Sequence, residues 1–472
     1  MRNAIKTILF TLTALLLFAS MLQKAFNWPK FELLRGVIIE KPKPELSFQS
    51  YRDGSYQQQT EQHLEQHFGC REPLIRLYNQ YLWDFYNKTL VSEDQVAFGK
   101  EGWMFEPWTV PDYYQQLFHY YAADSAQMAS MLTEEAYRVL RLQQELQSHD
   151  IQLFVCMMPA KDLFYPEYLP DNQDTAFSNE PTFSARFFNE EIYTRLGINH
   201  LNLEQWFMQI KDSVDYMVFP KTGMHWSRYA ALQAADTLIR YMEDLGSINM
   251  HNLVIWPKEL HTAIDPDDDL ERLLNLLKPM PKPQYTYANV TTDNDTTAIK
   301  PKMIIIGDSF WWTIAVQIPL QEVFSESPYW YYNSVVHYDS RYHSVNEFDL
   351  AEELLTADFV VLSYSATQQY RLNNGFTQQA LSALGCTTDG CKADSATIVQ
   401  LEIQRTVANI LTTPDWMKSI RDQATRTGIS VQQCVRDNAA WVVQNNIQQG
   451  LLQLPTPTKD TNTKSENHGI QQ

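Results

Sequence analysis

The sequence predicts an α/β fold in three layers, a mostly parallel sheet held between two sets of helices. Three short runs carry that prediction: Ile151–Pro159 (IQLFVCMMP), Met303–Gly307 (MIIIG) and Asp358–Ser365 (DFVVLSYS). Each is apolar with almost no alternation, as expected of a strand covered on both faces. Between them lie amphipathic stretches at helical spacing, the rhythm of strand–helix–strand units. With 472 residues, 44% of them apolar, the chain can bury a substantial core.

The elements follow in order. Arg2 and Lys6 precede an uncharged run from Thr7 to Gln23, about the shortest length that spans a bilayer. Phe18 stands where a signal peptidase prefers a small side chain. Residues 1–28 are therefore expected to remain as an anchor, with release to the periplasm after cleavage as the alternative. Residues 29–125 read as a Pro- and charge-rich linker and a helical stretch broken near Gly69 and Pro73, followed by a hairpin turning at Gly99 and Gly102. Residues 126–375 hold the alternating core. Its helices include SAQMASMLTEEAYRVLRLQQELQSHD and SRYAALQAADTLIRYMEDLG, the second ended by Gly246. Residues 257–300, rich in Pro, Asp and Thr, interrupt the rhythm and read as an insertion with one short helix. Residues 376–453 are helical, and 454–472 form a polar tail expected to be disordered.

Composition excludes some functions. The net charge of −19 repels a nucleic-acid backbone, and no Lys/Arg cluster offsets it. The aromatic fraction of 13% suits ring-lined surfaces such as those that handle carbohydrate. Cys70, Cys156, Cys386, Cys391 and Cys434 lack zinc or redox spacing, so neither a metal nor a cofactor is expected. Cys386 and Cys391 bracket a Gly/Asp turn and can close a local disulfide in an oxidising compartment.

The chemistry points to Ser309. It follows a buried strand and opens a helix, the usual place for a ligand in an open parallel sheet. The backbone N–H groups of Ser309 and Phe310 would face an oxyanion there. By itself Gly-Asp-Ser reads as a helix cap, and a serine needs a base to act as a nucleophile. His225, in KTGMHWS between an extended segment and a helix, is the candidate base. His337 and His343, after the next strand, are its rivals. Asp308 is expected to turn inward or cap the helix. Lys161, at another strand end, is placed to contact an anionic sugar or to brace the site, with a solvated strand-end lysine as the alternative, and Trp226 and Trp312, beside the two candidates, are possible substrate contacts. Most of Trp311, Trp312, Trp330, Tyr331 and Tyr332 are expected in the core.

Together, GDSF and the KTGMHWS block about eighty residues upstream resemble the SGNH-hydrolase-like domain of the alginate O-acetyltransferase AlgX/AlgJ family. FGKEGWMFEP, CMMPAKDLFYPEYLP and the helix YQQQTEQHLEQHFGCREPLIRLYNQ extend the likeness over roughly residues 50–370. The resemblance implies an SGNH-like fold and an exported, inner-membrane-anchored enzyme facing the periplasm. Such an enzyme transfers acetyl groups to hydroxyls of an exopolysaccharide and receives them through a membrane O-acyltransferase. Ser309 would be the nucleophile and His225 the base. Where the family has Asp two residues before the histidine, this chain has Gly223. That departure leaves a Ser–His dyad, a carboxylate from elsewhere (Asp212, Asp215 and Asp162 being candidates), or a non-catalytic glycan-binding relative. A carbohydrate esterase shares the first half-reaction and is the other alternative.

Overall fold

The computed structural model describes residues 2–36, 41–91, 95–171, 182–338, 341–386 and 413–452, with scattered positions from 399 to 411. The disulfide expectation at Cys391 lies outside them. The first helix, Arg2–Phe26, contains a 22-residue stretch, Ile5–Phe26, long and apolar enough to cross a membrane.

A hairpin of β1 (Ala97–Phe98) and β2 (Met104–Phe105) precedes the main sheet. The strands that follow are β3 (Gln152–Met158), β4 (His200–Asn202), β5 (Leu253–His261), β6 (Tyr285–Thr292) and β7 (Met303–Gly307). The last four are β8 (Tyr329–Tyr331), β9 (Val335–Tyr338), β10 (Arg341–Ser344) and β11 (Phe359–Ser365). Seven of them form one sheet in the order β10-β9-β8-β7-β11-β3-β4. It is parallel from β8 to β4, with β9 and β10 added antiparallel at one edge.

Period-two alternation divides each central strand between two cores. Met303 and Ile305 of β7 join Phe154, Cys156, Phe359 and Val361 on one face, under the helix Arg228–Gly246. Ile304 and Ile306 join Leu153, Val155, Val360 and Leu362 on the other, under the helices Ser125–Gln147, Ala185–Leu196 and Phe376–Ala383. Each such buried side chain contributes roughly 1.5–3 kcal/mol, so β7 is fixed from both sides. The C-terminal helices Pro414–Thr427 and Val431–Gln448 pack on a third cluster around Leu117, Phe118 and Met128.

The stretch read as an insertion contains more order than its composition suggests. β5 and β6 pair antiparallel, and the chain between them forms the five-residue helix Asp269–Leu273. Beyond Leu253 most of β5 is exposed, and its register shifts between Ile255 and Lys258, so hydrophobic alternation gives little sign of a strand.

Candidate active site

Ser309 follows β7 by one residue and opens the helix Phe310–Ala315. Gly307 ends the strand where a Cβ would lie 2.2 Å from the Ser363 carbonyl oxygen, so only glycine fits between β7 and β11. Asp308 turns inward. Its Oδ2 accepts from Ser365 N–H (2.7 Å) and Ser365 Oγ–H (2.6 Å), and its Oδ1 accepts from Phe310 N–H (3.1 Å). Burial drives its pKa up, against these hydrogen bonds and the nearby His225, and leaves it raised. Asp308 therefore caps the helix, and Ser309 Oγ is free to face His225 Nε2 at 2.9 Å.

Several elements fix the histidine. The Trp226 indole donates to Thr313 Oγ1 on the helix that follows Ser309. Ser227 Oγ donates to the Met217 carbonyl (2.6 Å) and accepts from Ala230 N–H (3.2 Å), tying the turn to the next helix. The ring of Phe310 meets the imidazole edge-on at 5.0 Å between centroids. Lys161 Nζ donates to the carbonyls of Met104 (2.5 Å), Lys221 (3.1 Å) and Gly223 (2.8 Å), joining β2 to the histidine turn.

The far nitrogen of His225 meets a carboxylate that the sequence reading missed. Asp269 Oδ2 is 2.9 Å from Nδ1, and Asp269 Oδ1 accepts from Met224 N–H at 2.6 Å. An ionised carboxylate only accepts, so Nδ1 carries the proton and Nε2 is left to accept from Ser309. Burial opposes the imidazolium, but Asp269, with Glu106 and Asp308, outweighs it and raises the His225 pKa above its ordinary value.

Gly223 and Asp269 explain each other. A Cβ at position 223 would lie 2.7 Å from the Asp267 carbonyl oxygen and 2.6 Å from Pro220 Cγ. The segment that supplies the carboxylate occupies the space a side chain at 223 would need. The three aspartates proposed from sequence are elsewhere: Asp162 is buried against Arg186 (2.7 Å), Asp215 pairs with Lys258 (3.2 Å), and Asp212 is exposed.

Two further charged residues face the site. Glu106, just past β2, is pushed to a pKa of about 7 by burial and by Asp308 and Asp269, against the pull of His225 and Arg371. Arg371 stacks over the Tyr332 ring at 5.2 Å. Glu106 lies in the FGKEGWMFEP block, but nothing in that block marked it as a site residue, and Arg371 stands in no recognisable motif.

Several expectations need correction. Lys161 is 2% exposed and spends its donors on three carbonyls, so it braces the site from within and is not a substrate contact. Trp226 is fully buried in the core and cannot touch substrate. The Phe310 N–H is taken by Asp308, so it is not an oxyanion donor. The Ser309 N–H has no hydrogen-bond partner among the described residues. Trp311 and Trp330 are core residues. Trp312 is half-buried one turn beyond Ser309, edge-on to Tyr329 (5.1 Å) and His337 (4.1 Å). Of the rival histidines, His337 lies in that ring cluster and His343 meets Glu347 at 3.2 Å.

Residues 96–315 match the family model described as SGNH hydrolase-like domain, acetyltransferase AlgX. That segment is similar to an AlgX-type SGNH hydrolase-like domain. The matched segment runs from the β1–β2 hairpin through the helix after Ser309, and so includes His225 and Asp269. Among solved structures, the O-acetyltransferase domain of Pseudomonas putida AlgJ is similar at 15% identity and a TM-score of 0.38, over 62% of this chain and 99% of that one. Pseudomonas aeruginosa AlgX is similar at 12% identity and 0.40, over 62% and 68%. Bacillus cereus PatB1 is similar at 13% identity and 0.34, over 51% and 91%. No curated protein sequence matches the chain.

Proposed function

We propose that the protein is a membrane-anchored polysaccharide O-acetyltransferase working by serine acyl transfer. One observation carries the reading: Ser309 Oγ, His225 and Asp269 form a continuous hydrogen-bonded relay at the end of a parallel strand. The family match supplies the acetyl group as the acyl moiety.

Ser309 Oγ attacks the carbonyl carbon of the acetyl donor while His225 Nε2 takes its proton. The Ser309 N–H stabilises the oxyanion, and the leaving group departs with the proton from His225. A sugar hydroxyl, deprotonated by His225, then attacks the acetyl-serine, and Ser309 Oγ recovers its proton. Asp269 holds the imidazole in the required tautomer and stabilises the imidazolium in both steps. Trp312, close to the nucleophile and half-exposed, is the aromatic residue placed to contact the acceptor. The helix Ile5–Phe26 serves as the anchor in this reading, with the catalytic domain on the periplasmic side. Cytosolic acetyl-CoA does not reach that side, so the donor is a membrane O-acyltransferase.

The test uses the full-length protein with a chromogenic acetyl ester, with and without an oligosaccharide. Turnover that increases with the oligosaccharide, together with acetylated product, is expected, and both should vanish in Ser309→Ala and His225→Ala. Hydrolysis indifferent to the oligosaccharide would make the protein an esterase. Inactivity with retained glycan binding would make it a binding protein.

A further inference from the structure

The short helix that begins with Asp269 is braced from two directions. On the catalytic side, Glu271 N–H donates to the Thr222 carbonyl (3.2 Å), and Thr222 Oγ1 donates to Glu271 Oε2 (3.1 Å), which ties the helix to the histidine turn. On the opposite side the partners come from the first ninety residues. Asn79, 1% exposed, donates from Nδ2 to the Leu274 carbonyl (2.8 Å) and accepts from Leu90 N–H (3.2 Å). Asn275 Oδ1 accepts from Arg35 N–H (2.8 Å), and Asn275 Nδ2 donates to the Arg35 carbonyl (3.0 Å). The buried amide thus satisfies both main-chain groups of Arg35, as a neighbouring strand would.

Both partner segments lead back to the N-terminal apolar helix. Arg76 Nη2 donates to the Leu33 carbonyl (3.0 Å), which joins the segment around Arg35 to the helix Arg71–Tyr86. At the start of that helix, Cys70 N–H donates to Gln23 Oε1 (3.0 Å), and Gln23 Nε2 donates to the Pro29 carbonyl (3.1 Å). Contact there is close: a Cβ at Gly69 would lie 1.9 Å from the Ser20 carbonyl oxygen. An unbroken path of main-chain and amide contacts therefore runs from the apolar helix to the carboxylate on His225.

We propose that Asn79 and Asn275 are positioning residues of the acyl-transfer site, which use the segments flanking the N-terminal apolar helix to hold Asp269 against His225. The proposal rests on the reading of Asp269 as the triad acid. The excursion between β5 and β6 is anchored by a small apolar cluster, in which Leu270 and Leu274 are buried with Val96 and Met104, and Leu273, Leu276 and Met280 pack against them partly buried. The two buried leucines fix the helix on the body of the domain. The two amides fix its C-terminal end, and with it the angle at which Asp269 meets the imidazole.

The test measures ester turnover against pH in full-length protein for wild type, Asn79→Ala, Asn275→Gly, Asp269→Asn and the double variant Asn275→Gly/Asp269→Asn. Glycine is chosen because Asn275 has a φ of 49°, which glycine adopts without strain. Each single amide variant is expected to lower kcat about tenfold with little change in KM. Each should also move the acid limb of the profile to lower pH, because His225 loses part of Asp269's support. In the Asp269→Asn background, Asn275→Gly should cost nothing more, since the group it positions is already gone. An acid limb unmoved in both amide variants, or a loss that adds in full to that of Asp269→Asn, overturns the proposal. A silent Asp269→Asn would instead overturn the triad reading itself.

Discussion

Ser309 stands just beyond β7, whose alternate side chains fill two cores, whereas Asp269 opens a five-residue helix between the mostly exposed β5 and the half-buried β6. Many redundant apolar contacts hold the nucleophile, and a few directional polar contacts hold the acid. Moving Ser309 would mean repacking the sheet. The carboxylate need only reach Nδ1 of one imidazole from any backbone that passes nearby. The chain uses that freedom: position 223 is closed to any side chain, and the acid arrives from 44 residues beyond the histidine.

The largest expected effects test the rigid half. Ser309→Ala or His225→Ala should each remove acetyl transfer by about 10⁶ in kcat, the scale seen when a serine or histidine is deleted from such a unit. Mass spectrometry of the protein after reaction with the donor should show an acetyl adduct in wild type and none in Ser309→Ala. Retention of the adduct in that variant would remove the serine mechanism.

Asp269→Asn should cost less, about 10⁴, because the histidine keeps its place but loses the tautomer and charge support. The pH dependence has a definite sign. Asp269 raises the His225 pKa, and the reaction needs the neutral imidazole, so wild-type kcat should rise through a limb above the ordinary value of 6.5. Asp269→Asn should bring that limb down. The same linkage acts on folding: the His225–Asp269 pair contributes stability fully below pH 6.5, and loses it as pH rises through the raised folded pKa. Thermal midpoints across that window should therefore differ more between wild type and variant at the acid end.

Gly223 tests whether the acid's location can be reversed. Gly223→Ala places a Cβ 2.7 Å from the Asp267 carbonyl oxygen and should destabilise the protein by about 1–3 kcal/mol, read by denaturant unfolding. It should also displace Asp269 and cost about 10–100-fold in kcat, as a misplacement of about 1 Å does. The double variant Gly223→Asp/Asp269→Ala should fail to recover the activity lost by Asp269→Ala, since the excursion still fills the space. Recovery would show that the excursion yields easily, and that the two halves of the site differ less than their packing implies.

Legibility in the sequence follows the same division. The parallel sheet, the place of Ser309 and the inward turn of Asp308 are readable because unbroken apolar runs have few physical meanings and Gly-Asp-Ser ends one of them. His225 is readable once KTGMHWS is set beside GDSF. Asp269 is not: Asp265, Asp267, Asp268 and Asp269 crowd one short stretch, and local pattern cannot say which of them meets a ring 44 residues away. The usable signal was the pairing of a missing acid at Gly223 with an acidic cluster before the apolar pair Leu270 and Leu274. The role of Lys161 could not be chosen from sequence for a related reason. A lysine at a strand end normally reaches solvent, and only the folded chain brings three carbonyls onto it.

Glu106 offers the smallest and sharpest distinction, because it lies on the hairpin side of the site and belongs to neither half of the relay. Its carboxylate adds to the field that favours the imidazolium, after Asp269 in strength. Glu106→Gln removes that field with almost no change in shape, so kcat at the optimum should fall only severalfold, and the acid limb should move down by less than in Asp269→Asn. Glu106 itself has a pKa of about 7, so its own charge changes over the range in which His225 titrates. Wild-type profiles should therefore be broader than a single titration, and the variant's should sharpen to one. An unaltered breadth would assign the whole limb to His225 and Asp269, leaving Glu106 outside the proton balance of the site.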